Sequence, residues 1–585
     1  MKTIKKHALF LALFTIAGTF FGPGLFAQNR ISMEPLGERK DKENPIRLSE
    51  LSANVEIMGN IATTKLDMLF VNKGNQILEG QLDFPLGQNE SVVGYALDIN
   101  GKMRDGVVVE KDKGRQVFEA VVRQGIDPGL VEKTSGNNFR TRVYPFPANG
   151  SRRVQITYQS ELKSQAWAAN MEAPEYYTYV FSALPKGRLD KFDFTITVLD
   201  QETSPHSWAN NQDGMDSFSF AQMRGGRTAS VSKSGIELSK PIQFSFESNS
   251  IVEKSSAYER PVFIQTLGKD TYFYYSRTLA AFGQEKPLPK TIAVLWDVSS
   301  SGQKRDIDRE LQLLKAYVKE LENPTVRVFP FSIKIHDGRS FKIEGEADIE
   351  KLEKFIRSFS YDGATNLSYD FSALETEEVL VFSDGLANWS EASAAPADKK
   401  LARVYAINSS PSADHAWLSS IANARGGQYV NLCGAGQNID EKLWDMTHEP
   451  YRLIRAEYDE GAIEQVYPLD GTIVGHDFSF CGLLKKKSAK VTLHFGHGNK
   501  IESSVSFDVS AVDGIETDCA ARQWAVKKID SLSQSYGKNK DQIISLAKKF
   551  GVVTKDTSLI VLDSASDYVR YGIVPPESDK ELRAE

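Results

Sequence analysis

Asp297, Ser299 and Ser301 stand at alternate positions just past an apolar run in TIAVLWDVSSSGQKRD, and a second apolar run, in VLVFSDG, ends in Asp384. Between them Thr365 sits beside Gly363 in YDGATNLS. Two carboxylates and three hydroxyls make an all-oxygen donor set. Such a set suits a hard divalent cation, Mg²⁺ first, with Ca²⁺ or Mn²⁺ as alternatives. A transition metal would ask for His or Cys, and neither falls in these stretches. Without an ion the same residues would be turn and cap residues at strand ends. Two strand-ending carboxylates with a hydroxyl-bearing loop between them favour the ion.

The segment that must position these residues, 291–432, alternates apolar strands with amphipathic helices. TIAVLWD is followed by DIDRELQLLKAYVKELE, where Ile307, Leu311, Leu314, Val318 and Leu321 form one apolar stripe at helical spacing. Strands in TVRVFPFS, SFKIEG, EEVLVFSD and ARVYAIN then alternate with helices in ADIEKLEKFIRSF and DHAWLSSIANARG. This pattern predicts a mostly parallel, doubly wound α/β sheet, on which ligands sit at the carboxyl ends of the strands. Asp306 and Asp308 read as the polar start of the first helix.

On either side the grammar is that of strands. From 31 to 162 the period is two: Ala62, Thr64, Leu66, Met68 and Phe70 share a face, and Val93, Tyr95, Leu97 and Ile99 precede an Asn100-Gly101 hairpin turn. This predicts a β-sandwich or small barrel. Residues 163–290 stay strand-rich, with Phe192, Phe194, Ile196 and Val198 on one face, and matching strands return over 450–512. These two halves predict a second β-sandwich into which the α/β domain is inserted. A tail over 513–570 reads as helices and one strand, and 571–585 as a polar terminus.

These features resemble a known family. The Asp297-x-Ser299-x-Ser301 triplet, Thr365 and Asp384 are similar to the metal-ion-dependent adhesion site of a von Willebrand factor type A domain. There the ligand often completes the coordination with its own carboxylate. Residues 114–162, with GRQVFEAVVRQG, GLVE, NNFRTRVYPFPANGS and VQITY, resemble the end of a VIT domain, the module of vault proteins and inter-alpha-trypsin inhibitor heavy chains. The tail, QWAVKKIDSLS through TSLIVLD, is similar to the segment that follows the A domain in those heavy chains. The chain departs from the pattern in Gly302, where many A domains have Met, and in lacking the heavy chains' Asp-Pro-His processing signal. That absence speaks against covalent transfer to a glycosaminoglycan.

Composition bounds the rest. The 585 residues, too many for one core, carry a formal net charge of -7 and no long basic run, which argues against a nucleic-acid binder. Residues 1–27, with Lys2, Lys5 and Lys6 before an apolar stretch and Ala27 at the cleavage edge, read as a signal peptide for an exported protein without a membrane span after cleavage. Three cysteines are too few for a disulfide scaffold, though one pair could bridge. His494 and His497 read as surface histidines without a third ligand, and Cys433 as a thiol without a catalytic partner. The expected function is non-enzymatic adhesion or protein interaction, gripping a protein or glycan ligand through Mg²⁺ and the ligand's acidic group. The alternatives are a metal-dependent hydrolase or transacylase, for which no general base stands out, and a structural envelope component with a vestigial site.

Overall fold

Along strand Ile61–Asn72 the buried side chains include Ala62, Thr64, Leu66, Met68 and Phe70, the face that the alternation predicts. A computed structural model describes residues 30–584 except 37–43, 88–89, 124–127, 135, 165–175, 200–204, 208–217, 224–225, 248–261, 280–282, 369–373, 388–401, 434–437, 476 and 534–535. Residues 1–27, read from the sequence as a signal peptide, lie outside the described residues. Among the described residues no helix is long and apolar enough to cross a membrane.

The first domain packs two large sheets around one core. One has the order Ala221–Met223, Gly226–Ile236, Leu189–Leu199, Ile46–Met58, Ile61–Asn72, Ser151–Glu161, Glu90–Ile99, Lys102–Asp105. Asn100 and Gly101 both take positive φ and turn Ile99 onto Lys102, as the hairpin dipeptide predicts. The other has the order Met33–Pro35, Leu78–Pro85, Asn138–Phe146, Gly129–Lys133, Thr557–Val561, Val107–Glu110.

Several boundaries differ from the sequence expectation: the α/β domain runs past 432, its core taking Met446 of helix Ile439–Thr447, strand Ile515–Glu516 carries the second sandwich past 512, and strand Thr557–Val561 of the expected tail joins the first domain. Most of 163–290 does not belong to the second sandwich. Leu189–Leu199 runs parallel to Ile46–Met58, and its buried Phe192, Phe194 and Ile196 join the first core, where Phe194 stacks on Phe244 at 5.5 Å. Alternation fixes which face is buried, not which neighbour buries it. Among the described residues of that segment, only Val262–Leu267 and Asp270–Thr278 enter the second sandwich. There they form a five-stranded sheet with Asp477–Leu484, Ile463–Tyr467 and Ile515–Glu516, facing Tyr451–Tyr458, Ser488–His497 and Lys500–Ser510. The terminus after 570 is likewise not merely polar. Helix Lys580–Ala584 buries Leu582 in a cluster with Phe118 and Ile560, and Asp579 lies 3.3 Å from Arg104.

The α/β domain is inserted between Asp270–Thr278 and Tyr451–Tyr458, and its host sandwich lies between segments of the first domain, so the three are nested. The inserted sheet has the order Arg339–Lys342, Thr325–Phe331, Thr291–Asp297, Glu378–Phe382, Arg403–Asn408, Tyr429–Asn431, parallel except for the first edge strand. Helices Ile307–Glu320, Glu346–Arg357 and His415–Ala424 pack onto it through buried Leu311, Leu314, Leu352, Ile356, Leu418 and Ile421. At its base the entering and leaving chains lie side by side: the Lys286 amide donates to Thr447 O at 3.2 Å and the Glu449 amide to Gln284 O at 2.7 Å. The buried Lys286 ammonium contacts Glu378 and lies 3.3 Å from the Tyr317 hydroxyl.

Candidate metal centre

Strands Thr291–Asp297 and Glu378–Phe382 are neighbours in the middle of the sheet, so their carboxyl ends bring Asp297 and Asp384 to the same edge. Both are buried. Asp297 Oδ1 accepts the Ser299 amide at 2.9 Å and Oδ2 accepts the Ser383 hydroxyl at 2.6 Å. The chain then makes a tight turn, Ser300–Lys304, that sets the Ser299 and Ser301 hydroxyls 3.2 Å apart. Thr365 is buried in a loop tied to this turn at two points: the Ser300 amide donates to Gly363 O at 3.0 Å and the Asp362 amide to Val298 O at 2.9 Å.

Asp384 Oδ1 accepts the Leu386 amide at 3.0 Å, while Oδ2 is buried without a hydrogen-bond partner. Burial and then the Asp297 charge push the Asp384 carboxyl up to about 6, against the Leu386 amide and the Ser301 hydroxyl, which favour the charged form. A buried carboxylate oxygen left unpaired beside a second carboxylate is a costly arrangement that a bound cation would relieve. The donors are hard oxygens, so the residues present fit Mg²⁺ or a similar ion. Among the described residues no group of three or more His, Cys, Asp and Glu comes together; this set has two carboxylates, and its remaining donors are hydroxyls.

Behind the first loop lies a buried brace. The Arg305 guanidinium donates to Asp297 O at 2.6 Å, lies 3.3 Å from Glu310 and sits over the Trp296 ring at 5.2 Å. Glu310 accepts the Ser409 hydroxyl at 2.7 Å, and burial, opposed by Arg305, pushes its carboxyl up to about 7. Asp306 caps the following helix by accepting the Arg309 amide at 3.1 Å, as its position predicts. A Cβ on Gly302 would stand 2.9 Å from the Tyr361 ring and 3.2 Å from Asp297 O, which accounts for glycine there. Sequence reasoning missed Arg305, Glu310, Ser383 and Ser409. For Glu310 a signal existed, since an acid in register with Leu314 and Tyr317 lies on the apolar stripe.

The other residues weighed in the sequence lie elsewhere. His494 lies 2.8 Å from the Ser504 hydroxyl, whereas His497 is buried rather than at the surface and lies 2.8 Å from Glu502. Its strand turns it toward the Tyr451 ring. All three cysteines are free, and burial pushes the Cys433 thiol up to about 11.

Residues 48–158 match the family model described as the vault protein inter-alpha-trypsin domain. A von Willebrand factor A domain-containing protein of Dictyostelium discoideum is 21% identical over 569 residues, covering 89% of this chain and 59% of that one. Human inter-alpha-trypsin inhibitor heavy chain H3 is 21% identical over 57% of this chain and 38% of its own. Mouse protein mono-ADP-ribosyltransferase PARP4 is 27% identical over 21% of this chain and 6% of its own. The chain therefore spans less than two thirds of the length of each of these relatives. Among solved structures, the ArnB paralog VWA2 from Sulfolobus acidocaldarius is 14% identical over 54% of this chain and 93% of that one, with a TM-score of 0.23. BatB from Bacteroides thetaiotaomicron is 16% identical over 26% and 96%, with a TM-score of 0.20. Likenesses at that level add no weight to the topology. The chain carries a VIT domain and a von Willebrand factor A-like fold, distantly related to proteins of the heavy-chain type.

Proposed function

We propose that this chain is an exported, non-enzymatic adhesion or interaction protein that binds a protein or glycan ligand through Mg²⁺ held in its A-like domain. Asp297, Ser299, Ser301, Thr365 and Asp384 would hold the ion directly or through water. The ion would supply a positive centre for an acidic group of the ligand. The observation that carries this reading is the buried Asp384 Oδ2, without a hydrogen-bond partner and beside the buried Asp297. The chain's own part is to hold that geometry: Ser383 and the Ser299 amide fix the Asp297 carboxylate, and Arg305 fixes its backbone.

Calorimetric titration of Mg²⁺ into the ion-free protein tests this. Saturable binding is expected in the wild type and none in Asp384→Ala. Equal isotherms for the two proteins, or no heat of binding in either, would remove the site.

A further inference from the structure

The first domain reaches the loop that carries Asp384. Gly136 and Asn137, just before strand Asn138–Phe146, lie against the α/β domain, where the Asn137 amide donates to Ala413 O at 3.0 Å. Gly136 has φ +68, and a Cβ there would stand 2.6 Å from Ala413 O and 2.8 Å from the Leu386 side chain. These are the neighbours of Asp384 in two senses. The Leu386 amide is the one that holds Asp384 Oδ1, and the Asp414 amide, next to Ala413, donates to Asp384 O at 2.8 Å. Asn137 is itself anchored in its own domain, its side-chain amide donating to Gly87 O at 2.6 Å and Glu90 O at 3.1 Å. Hydrogen bonds thus run from the first domain to Ala413 and from the adjoining Asp414 to the Asp384 backbone, with Gly136 set close against Leu386, whose amide holds the carboxylate.

We propose that Gly136 and Asn137 are positioning residues for the metal centre: docked on Ala413 and Leu386, they hold the Asp384 loop in its ion-binding geometry, so that ion binding and this interdomain contact are coupled. The inference rests on the ion-binding reading above. Coupling between two events is reciprocal in free energy, so the ion tightens the contact by the factor by which the contact tightens the ion. Leucine in place of Gly136 would meet backbone atoms, which cannot yield as a side-chain end can, in a region of φ that L-residues rarely occupy. Asn137→Ala acts differently, since it loosens the anchor within the first domain and adds no clash.

The test uses the full chain. Amide hydrogen exchange is followed at Asn137 with and without saturating Mg²⁺, alongside Mg²⁺ calorimetry of the wild type, Gly136→Leu and Asn137→Ala, with thermal melting as the fold control. Expected are slower exchange of the Asn137 amide when Mg²⁺ is bound, and Mg²⁺ affinity about 5-fold to 10-fold weaker in both variants, a range typical of coupled sites. Mg²⁺ bound normally by the wild type with no change at Asn137, and affinities within 2-fold in either folded variant, would overturn the coupling alone. No Mg²⁺ binding by the wild type would overturn it together with the reading on which it rests. A merely structural role would lower the melting temperature without an ion-dependent change at Asn137.

Discussion

The five residues proposed to hold the ion stand out in the sequence because a carboxylate at the end of an apolar run is conspicuous, whereas the residues that brace them carry no such mark. Arg305 looks like one more charge in a polar loop, yet it is fully buried between Asp297 O and Glu310. Removing one member of a buried ion pair strands the other. Arg305→Ala is therefore expected to cost about 3–5 kcal/mol of stability, read from urea unfolding. Arg305→Ala with Glu310→Leu should recover much of it, because no unpaired charge is then left in the core. A double variant no more stable than the single one would mean that the bond to Asp297 O, and not the ion pair, is what Arg305 contributes.

Elements were legible where period and length agreed, as in the helices Ile307–Glu320 and Glu346–Arg357 and the strands on either side. Their partners were not. Thr557–Val561 shows an apolar run that would suit any buried strand. It lies between Gly129–Lys133 and Val107–Glu110, with Ile560 opposite Leu130 on one side and Val107 on the other. A strand bonded on both edges and fully buried is integral to its sheet. Ile560→Ala should destabilise the first domain by about 2–5 kcal/mol, the range for truncating a buried Ile. Hydrogen exchange at Val131 and Val109 measures it; unchanged protection there would mean that the sheet holds without this strand.

In the whole molecule, the domains meet at polar contacts that no periodicity could announce, since each partner comes from a different part of the chain. Glu161 of the first domain accepts the Tyr274 hydroxyl at 3.1 Å and the Ser479 hydroxyl of the second sandwich, and the Lys527 ammonium of helix Ala520–Ser533 at 3.1 Å. Burial alone would raise this carboxyl, but Lys527 and the hydroxyls outweigh it and hold it below 4.5, its ordinary value. The unfolded chain then binds the proton more readily, so the contribution is present above about 4.5 and lost as pH falls through the lower folded value. Melting temperature should fall over that window more steeply in the wild type than in Glu161→Gln; parallel curves would show that other carboxylates dominate. With the two sandwiches joined in this way they form one frame. The A-like domain is joined to that frame at its base by the entering and leaving chains, which bond to each other through Lys286 and Glu449, and it meets the frame at the carboxyl end of its strands through Ala413. A body pinned at two separated points keeps a single rotational freedom, about the line that joins them. One contact lies at the amino end of strand Glu378–Phe382 and the other just past strand Arg403–Asn408, so a hinge-like swing of the domain away from the frame is expected to break the Asn137–Ala413 hydrogen bond first.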